Sequence, residues 1–96
     1  MTRINYSPKA EQDLRDIWRA VAENNPDAAD RLLMRIFDKI ELAAGQPQMG
    51  SPRSDVSPRL RILIEGNYIV LYEPTNDGIF VIAVVHGARD RDNWLE

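Results

Sequence analysis

Apolar residues fall into two helical stripes followed by three strand-like runs. Between Pro8 and Glu23, Ala10, Leu14, Ile17, Trp18 and Val21 recur at steps of three and four, while Glu11, Asp13, Arg15, Asp16 and Arg19 take the other side. This spacing predicts an amphipathic helix. Ser7-Pro8 supplies its start, with a hydroxyl for the N-cap and a proline where a missing N–H costs nothing. Asn25-Pro26 repeats the signal. From there Ala29, Leu32, Leu33, Ile36, Phe37, Ile40 and Ala44 form a broader stripe, which Gly45 and Pro47 bring to an end. A connector this short makes the two helices an antiparallel hairpin. Trp18, Leu33 and Phe37 lie on the stripes and are expected in the core, where truncating Leu33 or Phe37 to Ala costs about 2–5 kcal/mol.

Elsewhere the period is that of strands. Arg3–Tyr6 predicts a short first strand. Gln46–Pro58 holds three of the six prolines and predicts a loop without regular structure. Arg59–Glu65 and Tyr68–Glu73 flank Gly66-Asn67, a two-residue hairpin signal, and Ile79–His86 is the longest apolar run, predicting a central strand. A two-residue turn there pairs Glu65 with Tyr68, Leu63 with Val70 and Arg61 with Tyr72 on one face, and Ile64 with Ile69 and Ile62 with Leu71 on the other. The all-aliphatic face is expected beneath the helices, leaving Arg59, Arg61, Tyr68 and Tyr72 open to a partner. The plan is α+β in the order β-α-α-β-β-β, a helix hairpin packed on one face of a small, mostly antiparallel sheet. No repeat or low-complexity segment divides the chain, so residues 1–96 are read as a single domain.

Composition narrows the chemistry. Without cysteine, disulfides, thiolate metal sites and a thiol nucleophile are excluded, and His86 is the only histidine. A net charge of −3 opposes a protein whose affinity comes from neutralising many phosphates, so direct nucleic-acid binding is not expected. Ten of the twelve basic residues are arginine, the better partner for forked pairing with carboxylate or phosphate, which suits an interface as well as an active site. No run is long enough to span a bilayer and the start lacks a secretory h-region, so no membrane association and a cytoplasmic location are expected.

No Gly-rich phosphate loop, metal-ligand cluster or catalytically spaced carboxylate pair is apparent, and neither metal nor cofactor is expected. Asp13 with Asp16, and Asp27 with Asp30, lie in the first halves of helices, where they complement the dipole. Met49-Gly50 is read as a turn with a methionine filling a gap. His86 fits a strand-end histidine bonded to backbone, or an acid or base. Arg61 opposite Tyr72 fits a stacked pair on a solvated face, or an interface. In the tail, Arg89, Arg91 and Trp94 combine alternating charge with a large aromatic, a solvated run or a binding hot spot.

Ser7-Pro8-Lys9-Ala10 and Asp13-Leu14-Arg15-Asp16-Ile17-Trp18 are similar to the opening of ParE-like toxins of the RelE/ParE superfamily. The resemblance continues through Ala28-Ala29-Asp30-Arg31, residues 40–47, Met49-Gly50, Leu60-Arg61, Tyr68, Tyr72 and Val84-Val85-His86-Gly87-Ala88-Arg89-Asp90. Their order and spacing carry it, since each piece alone is common. It implies the toxin of a two-gene toxin–antitoxin module that forms a hetero-oligomer with a ParD-like antitoxin. Such an antitoxin dimerises through a ribbon-helix-helix DNA-binding start and wraps its C-terminal segment over the toxin. ParE-type members act on DNA gyrase, whereas RelE-type members of the same fold cut messenger RNA in the ribosomal A site. The RelE pattern also needs further cations on the sheet and a tyrosine near the C-terminus, and no tyrosine follows Tyr72. The expectation is therefore a non-enzymatic gyrase inhibitor that meets its target or antitoxin through Arg59, Arg61, Tyr68, Tyr72, His86, Arg89, Arg91 and Trp94. The alternatives are a ribosome-dependent endonuclease using Arg61 and His86, and an antitoxin-bound regulatory module without toxicity.

Overall fold

Both helices begin where the Ser-Pro and Asn-Pro signals place them. In the computed structural model, which describes residues 2–87, the elements are β1 (Arg3–Tyr6), α1 (Pro8–Ala22), α2 (Pro26–Gly45), β2 (Ser51–Pro52), β3 (Arg61–Glu65), β4 (Tyr68–Pro74) and β5 (Gly78–His86). The Ser7 hydroxyl accepts the Ala10 N–H at 2.9 Å and the Asn25 side chain accepts that of Ala28 at 3.1 Å, each satisfying a donor that the first helical turn leaves unpaired.

The sheet runs β1-β5-β4-β3-β2, with β1 parallel to β5 and the other neighbours antiparallel. The β3–β4 hairpin has the expected register: Arg61 faces Tyr72, Leu63 faces Val70 and Glu65 faces Tyr68. Gly66 supplies the positive φ, +59°, that the first turn position demands. The 46–58 segment is not wholly irregular, because Ser51 and Pro52 pair with Ile62 and Arg61 as the edge strand β2. A proline fits an edge, where its missing N–H breaks no ladder.

The helices cover the opposite sheet face from the one expected. Leu63, Val70, Tyr72, Ile79, Val81 and Val84 pack with Leu14, Ile17, Ile36 and Ile40 in the main core. Leu71, Ala83 and Val85 lie on the far face in a smaller cluster with Leu60, joined by Val56, Ile62 and Ile69. Aliphatic content could not decide between the faces, because both bury apolar residues. Tyr72 and Arg61 can take the helix side because loop carbonyls satisfy their polar ends.

Three residues expected inside are not. Trp18 and Phe37 are each 39% exposed and Met49 is also exposed, so neither aromatic is core and the methionine fills no gap. Leu33 is half-buried at the edge of the main cluster.

Side chains guard the open backbone of the sheet. Beyond Val81, β5 has outrun β1; there the Ser7 hydroxyl donates to the Ile82 carbonyl at 2.6 Å and the Val84 N–H donates to the Asp13 carboxylate at 3.0 Å. On the other edge Lys39 Nζ donates to the Ile64 carbonyl at 3.2 Å. Charged and polar groups placed this way discourage edge-to-edge pairing.

Candidate binding surfaces

Tyr72 and Arg61, neighbours across β3 and β4, clamp the loop that follows α2. The Tyr72 hydroxyl donates to the Pro47 carbonyl at 2.8 Å and accepts the Gly50 N–H at 2.9 Å, and the ring is fully buried. Arg61 Nη1 donates to the carbonyls of Gln48, at 2.8 Å, and Gly50. A Cβ at position 50 would stand 2.6 Å from the Tyr72 hydroxyl and 2.8 Å from the Ile62 carbonyl, so glycine is required for closeness. Burial pushes the Tyr72 phenol above its ordinary pKa, against the opposing pull of the Gly50 N–H and the Arg61 charge. The expectation that Tyr72 lies open to a partner is therefore overturned: it is a core residue whose hydroxyl fixes a loop.

Arg59 and Arg61 do meet, lining a notch of about 270 Å³ beside Pro74, with Arg59 Nη2 donating to the Pro74 carbonyl at 2.7 Å. Tyr68 and His86 form a second group. Their rings meet edge to face, 5.2 Å between centroids, and Tyr68 is half-buried against the main core on the helix side, not on the open face expected. Beside them Glu65, opposite Tyr68, pairs with Arg35 of α2 at 3.5 Å.

The two groups are apart. Arg61 pairs with Tyr72 and His86 with Tyr68, four positions along β4, about 13 Å at the usual strand rise. Arg61 and His86 thus do not converge on one reacting group. Arg89, Arg91 and Trp94 lie outside the described residues.

A further surface, built from residues outside the expected contact set, follows the outer seam of the helix hairpin. The Trp18 indole N–H bridges the helices by donating to the Asp30 carboxylate at 2.8 Å. One and two turns further along α2 come Met34, 64% exposed, and Phe37. Phe37, Leu14 and Tyr6 then line a shallow depression of about 280 Å³ between Glu11 and Arg15. Burial, followed by the nearby Glu41 charge, raises the pKa of the Tyr6 phenol. The available signal was the width of the α2 stripe: with Met34 beside Phe37, more apolar residues stand on this helix than one buried face accommodates.

Comparison with known proteins defines the class. Residues 4–91 match the family described as the ParE toxin of the type II toxin–antitoxin system, parDE, and the chain belongs to that family. It is 30% identical over 84 residues to a protein of Sinorhizobium fredii named as a candidate toxin, Y4kP, covering 88% of this chain and 86% of the relative. Its fold is similar to that of a chromosomal ParDE toxin–antitoxin system from P. aeruginosa, with a TM-score of 0.74, 19% identity, and coverage of 90% of this chain and 96% of that one.

Proposed function

We propose that this ParE-type toxin inhibits DNA gyrase by protein–protein binding and is neutralised by a ParD-like antitoxin laid along the helix hairpin and the sheet edge. The observation that carries the reading is the family match across residues 4–91. The separation of Arg61 from His86 supports it, because cleaving RNA through the 2′-hydroxyl needs proton transfer and charge stabilisation at one phosphate.

For the antitoxin, the seam from Trp18 through Met34 and Phe37 to Tyr6 has what an interface core needs: exposed aromatic and methionine side chains with charged residues at the rim. The partner's contact segment is expected to be amphipathic, with apolar anchors at helical spacing.

Purified toxin added to gyrase and relaxed plasmid is expected to block supercoiling and leave transcripts intact in a translating extract. No effect on gyrase at micromolar toxin would remove the gyrase assignment and leave the family intact. Phe37→Asp is expected to weaken binding of the protein encoded by the adjacent reading frame by at least about tenfold, since a charge then replaces an anchor. Unchanged affinity would place the antitoxin elsewhere.

A further inference from the structure

The notch at the clamp end of the sheet has the chemistry of an anion site. Its walls are Pro52, Pro58 and Pro74, its apolar lining is Leu60, and its charged groups are Arg59 and Arg61. Among the described residues no carboxylate lines it, in a chain whose net charge is −3. Four other arginines are neutralised locally: Arg3 pairs with Asp77, Arg19 with Asp16, Arg35 with Glu65 and Arg53 with Asp55; Arg15 is bonded to the Gln12 side chain on the helix surface. Arg59 and Arg61 are instead held by backbone carbonyls, those of Pro74, Gln48 and Gly50.

That difference matters physically. A carbonyl orients a guanidinium but brings no compensating charge, so each arginine keeps its full positive charge in a fixed direction. A guanidinium carries five N–H donors. The carbonyl bonds engage Nη1 of Arg61 and Nη2 of Arg59, leaving Nε and the other Nη of each for a ligand. The proline walls are stiff and carry no N–H, so the site is preorganised and little ordering accompanies binding.

We propose that this notch binds the carboxylate of a glutamate or aspartate in an extended segment of a protein partner. The two planar oxygens match the fork of a guanidinium. Leu60 and the proline rings give the methylene stem of the acidic residue an apolar bed. A single peptide side chain fits the space, whereas a nucleic-acid strand needs a longer track of cations than two arginines supply. The assignment does not depend on which protein the toxin acts upon.

The test is an NMR titration of the full-length isotope-labelled protein, reading the arginine Nε–H signals. The probes are acetyl-Ala-Glu-Ala-amide, its Gln counterpart and inorganic phosphate. Saturable shifts at Arg59 and Arg61 are expected with the glutamate peptide, with affinity about tenfold weaker for the Gln peptide. Arg59→Gln is expected to lower glutamate-peptide affinity about tenfold with backbone signals changed only near Arg59 and Pro74, and Arg59→Lys to retain part of it, while Arg3→Gln has no effect. Arg61 is left intact because it clamps the loop. Equal shifts from the Glu and Gln peptides, no shift, or phosphate saturating below the peptide would each overturn the carboxylate assignment, the last by making the notch a phosphate site.

Discussion

The Tyr72 phenol does two jobs that pull its environment in opposite directions. Its ring fills the main core, and its hydroxyl serves as both donor and acceptor for the Pro47–Gly50 loop. Tyr72→Phe keeps the ring and leaves the Pro47 carbonyl and Gly50 N–H without this partner, so unfolding is expected to become easier by about 1–3 kcal/mol in a denaturant titration. A loss below about 0.5 kcal/mol would mean that water replaces the hydroxyl at no net cost. The same group sets an alkaline limit. Burial raises both Tyr72 and Tyr6 above the ordinary tyrosine value of about 10, so the folded state favours the neutral rings. Their stabilisation is complete below pH 10 and is lost as pH climbs through the raised folded values. Stability measured from pH 8 to 11 is expected to fall from about pH 10 upward, less steeply in Tyr72→Phe; a flat profile would refute the assignment. Little of this was legible in the sequence. Met49-Gly50 reads as a turn, but the reason for its glycine is a tyrosine 22 positions away, and no local pattern encodes that contact.

Elements were legible where short-range chemistry sets them. Ser7-Pro8, Asn25-Pro26 and Gly66-Asn67 each act through their own backbone, and the structure follows all three. Side-chain burial was less legible because a stripe on a helical wheel does not say how far the neighbouring element reaches. Trp18 and Phe37 share the apolar stripes yet lie at the outer seam, whereas Ile36, one residue before Phe37, is fully buried. Ile36→Ala is therefore expected to cost about 2–5 kcal/mol and Phe37→Ala no more than about 2 kcal/mol, because a partly exposed side chain loses less transfer free energy and leaves no closed cavity. Equal losses in denaturant unfolding would put Phe37 in the core after all. The sheet face was illegible for a related reason. β5 is apolar on both sides, with Val81 and Val84 under the helices and Ala83 and Val85 opposite, so alternation gave no direction.

At the scale of the whole molecule, net charge supplies a test of the proposed protein target. The family was legible in the order of short motifs along the chain, because spacing across the whole chain is far more specific than any one motif. The candidate surfaces were only partly legible: Arg59 and Arg61 were among the expected contact residues, and Trp18, Met34 and Phe37 of the helix seam were not. Among the described residues Arg3, Arg19, Arg35 and Arg53 pair with nearby acids, and Arg15, Arg31, Arg59 and Arg61 do not, in a chain of net charge −3. Binding to a protein surface, as proposed, releases few of the counterions that nucleic-acid phosphates condense. Affinity for DNA-free gyrase, measured by calorimetry, is expected to change by less than about tenfold between about 50 and about 200 mM salt, with no measurable affinity for bare DNA or RNA. A binder that neutralises six or more phosphates loses roughly a thousandfold or more over the same interval. A steep loss accompanied by binding to naked nucleic acid would transfer the toxin's affinity from protein to phosphate. That outcome would favour a nucleic-acid target even though Arg61 and His86 stand about four strand positions apart.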